Sequence, residues 1–98
     1  MKSLEEILRI LREHKEELAQ RYGVQELAIF GSYARGEQTP VSDVDILVTL
    51  GKPLGLRFFE LWDYLENLLG LQVDLLTPNA VRQKPLLWES AQHDLVYV

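Results

Sequence analysis

The sequence predicts a single α/β domain over residues 1–98, a small sheet with helices packed around it. Three observations predict this. Apolar residues recur at helical spacing in two long stretches, one near the N-terminus and one in the middle of the chain. Short apolar runs bounded by Gly, Pro or Ser fall between and after these stretches and read as strands. The two kinds of segment interleave rather than segregate, so the strands belong in one sheet covered by helices.

Each element has its own local signals. Ser3 followed by Glu6 is a capping box that opens the first helix. Leu4, Ile7, Leu8, Leu11, Leu18 and Tyr22 continue it at helical spacing, and Gly23 stops it. Glu5/Arg9 and Arg9/Glu13 are i,i+4 pairs on its solvent side, where His14 reads as a surface residue. Gln25–Phe30 is a first strand, cut off by Gly31-Ser32-Tyr33-Ala34-Arg35-Gly36 and a polar loop to Ser42. Asp43–Leu50 is a second strand, broken by Gly51-Lys52-Pro53. Leu54–Leu69 is the second long helix, with Leu56, Phe59, Leu61, Trp62, Leu65, Leu68 and Leu69 as its apolar face and Gly70 as its stop. Leu71–Thr77 is a third strand. Helical pieces from Pro78 to Gln92 are interrupted at Pro85, and Asp94–Val98 is a short edge strand.

Composition excludes several function classes. There is no cysteine, so disulfides, zinc–thiolate sites and thiol catalysis are ruled out. No apolar run approaches the roughly 20 residues that span a bilayer. The charged, helix-starting N-terminus is unlike a secretory signal, so a cytoplasmic location is expected. A net charge of −5 argues against a protein that grips a nucleic-acid backbone unaided. It does not argue against a nucleotide carrying a metal ion, whose charge reverses the local electrostatics. A chain this small has no room for a second substrate-recognition domain, so an acceptor must be held by another chain or by a homo-oligomer.

The residues that carry chemistry are Gly31 and Ser32, then Asp43 and Asp45. On a strand, Asp43, Asp45, Leu47 and Thr49 share one face, while Val44, Ile46, Val48 and Leu50 share the core face. Aspartate is depleted in strands, and two at the start of an apolar strand repel each other unless a cation neutralises them. The plainer reading is a loop cap at Asp43 and a solvent-facing strand end at Asp45. Asp74 is a lone carboxylate in the third strand; if that strand lies beside the second, three carboxylates meet on one face. Such an oxygen-only set suits Mg²⁺, whose other ligands are water and substrate phosphate. Gly31 lets backbone approach a ligand, and Ser32 opens a turn whose free N–H groups suit phosphate. Arg35, on the same turn, either contacts phosphate or acceptor or pairs with Glu37 or another acidic neighbour. Ser42 shapes the loop by bonding to backbone. Trp88 and Tyr97 fill core or form an exposed patch, Arg82 and Lys84 belong to an exposed loop, and His93 beside Asp94 reads as a helix-end surface pair.

With its Gly31-Ser32, its Asp43-Val44-Asp45 and the later Asp within Val73-Asp74-Leu75-Leu76, the chain resembles the polymerase-β-like nucleotidyltransferase superfamily, and most closely its minimal nucleotidyltransferases. The resemblance spans essentially the whole chain and implies a small mixed sheet flanked by helices. It implies that Asp43, Asp45 and Asp74 bind two Mg²⁺ ions, with Mn²⁺ as an alternative, and that Asp74 also activates the acceptor. Gly31 and Ser32 would contact the triphosphate of ATP. Many members are antitoxins of a helical HEPN-type ribonuclease toxin and transfer AMP to one of its tyrosines. Two other readings remain open: a catalytic subunit that nucleotidylates a small molecule, and an antitoxin that acts by binding alone.

Overall fold

The computed structural model describes residues 2–98. Helices α1 (Leu4–Glu13) and α2 (Lys15–Tyr22) lead into strand β1 (Val24–Phe30). A single turn, α3 (Ser32–Arg35), precedes β2 (Val44–Leu50). Helix α4 (Arg57–Leu69) then connects to β3 (Val73–Leu76), and α5 (Pro78–Arg82) and α6 (Pro85–Ala91) precede β4 (Val96–Tyr97). The strand order is β3-β2-β1-β4, with β2 and β3 parallel and the other two pairings antiparallel. This is the mixed sheet that the resemblance implied.

The capping box forms as the sequence predicts: the Ser3 hydroxyl accepts from the Glu6 N–H, and Glu6 returns a bond to the Ser3 N–H. The first helical stretch is two helices, not one. It breaks at His14, whose backbone is non-helical and whose half-buried ring bonds the Ile10 carbonyl at 2.8 Å. His14 therefore marks the junction of the two helices and is half-buried rather than a free surface histidine. Arg9 reaches Glu13 at 3.2 Å on the exposed side of α1.

The sheet is covered on both faces. Ile7, Leu11 and Leu18 from α1 and α2 and Leu61, Leu65 and Leu69 from α4 bury the face carrying Ile29, Val44, Ile46, Val48, Val73 and Leu75. The opposite face carries a smaller cluster of Ala28, Phe30, Leu47, Val81 and Ala91, roofed by α5 and α6. Alternation along β2 thus separates two cores rather than a core from solvent. Helix α4 begins later than the sequence predicts: Leu54 and Leu56 precede it, and Leu56 and Phe59 are exposed rather than on its buried face. The buried positions at i, i+4 and i+8 form a narrow stripe, and Phe59 falls outside it. Among the described residues, no helix is long and apolar enough to cross a membrane.

Candidate active site

The site forms at the end of the sheet where β1 stops and β2 and β3 begin. Phe30, the last residue of β1, pairs with Asp45 on β2, and Asp45 pairs with Asp74 on β3. The parallel register therefore brings the two carboxylates side by side on adjacent strands. Helix α4 fixes that register: the Trp62 indole N–H donates to the Val73 carbonyl at 2.7 Å, and the Val73 N–H donates to the Glu66 carboxylate at 2.9 Å. The Val44 N–H donates to the Gln72 carbonyl at 2.9 Å, which starts the ladder between the two strands.

Asp43 lies just outside this ladder. It is exposed and precedes β2, whereas the sequence predicts it as the strand's first residue. Among the described residues, no three carboxylate or imidazole groups stand together as a complete metal cage. The expected meeting of three carboxylates on one face is thus reduced to a strand-held pair, Asp45 and Asp74, with Asp43 approaching from the loop. Ser42 shapes that loop, its hydroxyl accepting from the Thr39 N–H at 2.9 Å.

Gly31 sits directly against Asp45. Its backbone, at φ 74° and ψ −151°, lies in a region essentially reserved for glycine. A Cβ added there would run into the Asp45 carboxylate. The glycine therefore both makes the sharp exit from β1 and leaves room over the acid. Half-buried Ser32 follows, while Tyr33 turns its ring into the core and anchors the turn. The Arg35 N–H bonds back to the Gly31 carbonyl at 3.1 Å.

Charge is concentrated here. Burial pushes the Asp45 carboxyl up to about 6, repulsion from Asp74 and Asp43 adds to the rise, and Arg35 opposes it. A half-buried acid beside two others, next to a glycine-lined gap, fits a hard cation that substrate oxygens complete. Arg35 makes two ion pairs, to Asp94 at 2.7 Å and to Glu37 at 3.1 Å. The hydrogen bond that the guanidinium donates to the Asp94 carboxylate is the main cause that raises it above its ordinary value.

A cleft of about 300 Å³ joins these residues, lined by Gly31, Ser32, Arg35 and Asp45 on one side and Leu87, Ser90, Ala91 and Asp94 on the other. The α6 wall was not legible from spacing, because nothing local marks those residues as neighbours of Gly31. Asp94 pairs with Arg35 rather than with His93. Trp88 packs against the smaller core, while Tyr97 is exposed; Arg82 and Lys84 are exposed, as the sequence predicts.

Comparison with known proteins agrees with this arrangement. The family profile described as "Nucleotidyltransferase domain" matches residues 11–98. The protein adenylyltransferase MntA of Thermococcus cleftensis is 48% identical over 99 aligned residues, covering 100% of this chain and 98% of that protein. A solved structure described, provisionally, as a minimal nucleotidyltransferase superposes with a TM-score of 0.72 at 36% identity, covering 97% of this chain and 95% of the other. A toxin–antitoxin structure with AMP-PNP superposes with a TM-score of 0.67 at 25% identity, covering 98% of this chain and 72% of the other.

Proposed function

The chain belongs to the nucleotidyltransferase domain family, and on that footing we propose that it is the antitoxin of a toxin–antitoxin pair. In this reading it transfers AMP from ATP to a tyrosine hydroxyl of a HEPN-type helical toxin in the cytoplasm. The observation that carries the reading is the Gly31–Ser32 turn set directly against Asp45, with Asp74 alongside on the neighbouring parallel strand. The named activity of the Thermococcus relative and the nucleotide analogue in the similar toxin–antitoxin structure support the donor and the kind of acceptor.

Asp45 and Asp74, joined by Asp43 from the loop, would hold two Mg²⁺ ions, or Mn²⁺ in their place. Such ions supply charge neutralisation on the triphosphate and a lowered proton affinity at the attacking oxygen. The chain's own groups do the rest. Ser32 and the N–H groups of its turn bind phosphate oxygens, and Gly31 lets them approach. Arg35 adds positive charge at the mouth of the cleft. The tyrosine oxygen attacks the α-phosphorus, the bond to the β-phosphate oxygen breaks, and pyrophosphate leaves. The Asp74 carboxylate takes the proton of the attacking hydroxyl. Catalysis of this kind rests on positioning and fixed charge. The cleft is open on one side, and in this reading a partner presents the acceptor there.

The test is label transfer from ATP tagged at the α-phosphate, with a γ-tagged reaction in parallel, using a lysate of the source cell and Mg²⁺. Labelling of one small protein from the α-tag alone, at tyrosine, supports the reading. Labelling from the γ-tag, or of no protein at all, overturns it.

A further inference from the structure

We infer that Asp94 is a positioning residue that aims the Arg35 guanidinium at the triphosphate held by the Gly31–Ser32 turn; this rests on the adenylyltransferase reading of the same cleft. Arg35 and Asp94 line that cleft together with Gly31, Ser32 and Asp45. Their side chains meet at 2.7 Å across 59 residues of sequence. Glu37, the second partner of Arg35, is 62% exposed, whereas the Asp94 side chain is only 18% exposed. Water competes less for the drier carboxylate, so Asp94 has the firmer hold.

The anchor is itself held in place by its backbone and its neighbour. The Asp94 N–H is bonded to the carbonyl of buried Ala91 at 2.9 Å, and the next residue, Leu95, packs on the smaller core. A guanidinium carries five N–H donors. Asp94 takes one from Nη1 and Glu37 takes Nε, which leaves Nη2 for a phosphate oxygen. A long, exposed arginine thus becomes an oriented donor, its angle set by a residue distant in sequence and adjacent in space. Two rival accounts exist: Asp94 is a structural staple between α3 and the α6–β4 segment, or it draws Arg35 away from substrate.

The experiment is a double-mutant cycle on Arg35→Ala and Asp94→Asn, with Asp94→Glu as the conservative variant and Glu37→Gln as the control. Calorimetry with Mg–AMP-PNP reads affinity, α-label transfer reads KM and kcat, and melting reads the fold. Asp94→Asn is expected to weaken analogue affinity and raise KM for ATP by roughly tenfold, with kcat within about twofold. Asp94→Glu restores most of this, Glu37→Gln changes little, and Asp94→Asn adds nothing once Arg35 is alanine. A lowered melting temperature with unchanged affinity, additive effects in the cycle, or tighter binding by Asp94→Asn would each overturn the inference. If the wild type binds the analogue with this coupling yet labels no acceptor, the proposed function fails while the positioning role stands.

Discussion

Burial raises the Asp45 carboxyl to about 6, above the 3.8 of an unperturbed aspartate, so the folded chain holds that proton more tightly than the unfolded one. The Asp45 contribution to stability is therefore greatest in acid and falls as pH rises through the interval between those two values. Asp45→Asn removes this dependence. Without metal, it should melt higher than wild type near about pH 7 and match it below about pH 4, while transferring no AMP. Thermal melts across pH and the label assay check both halves, and retained transfer would remove Asp45 from the chemistry. Gly31→Ala acts differently, since its added Cβ strains the backbone and collides with the Asp45 carboxylate. The expected cost is about 1–3 kcal/mol of stability, read by urea titration, together with loss of Mg–AMP-PNP binding read by calorimetry. Both residues stood out in the sequence because glycine at a strand end and aspartate inside a strand each contradict local preference.

Helix α4 ties stability to site geometry at the scale of an element. Leu61, Leu65 and Leu69 are fully buried, while Trp62 and Glu66 on the same helix hold the start of β3. Leu65→Ala should cost about 2–5 kcal/mol in urea unfolding. Phe59→Ala, earlier on the same helix but 64% exposed, should stay within about 0.5 kcal/mol. Similar losses for the two would contradict the buried stripe. Periodicity found this helix and its C-terminal glycine, but it also counted Leu56 and Phe59 as buried. An apolar face drawn from spacing alone is wider than the strip that the sheet covers. The break at His14 escaped notice for a related reason: the apolar repeat runs past it, while the non-helical backbone and the ring's bond to Ile10 appear only in the structure.

For the whole molecule, one end of the sheet gathers like charges that the apoprotein leaves facing one another. Mg²⁺ together with AMP-PNP should therefore stabilise the fold more than the sum of either alone. At a hundredfold excess over the dissociation constant, the gain should be about 2.7 kcal/mol. Asp74→Asn should lose most of that gain without weakening the apoprotein, as followed by thermal melts with each ligand separately and together. A shift with nucleotide alone equal to that with both would argue against a metal held by these acids.

By itself the sequence determined the main helices and strands and the α/β class, and it singled out Gly31, Ser32, Asp43, Asp45 and Asp74 as candidates. These are local properties, because a strand alternates every two residues and a helix repeats every 3.6, so a misplaced acid or glycine is visible in its own neighbourhood. The tertiary structure decided that Asp74 lies beside Asp45 while Asp43 stays outside the ladder. It also set Asp94 on Arg35 and laid α6 along the other wall of the cleft. Those juxtapositions depend on strand order, register and the packing of distant side chains, none of which leaves a periodic trace along the chain.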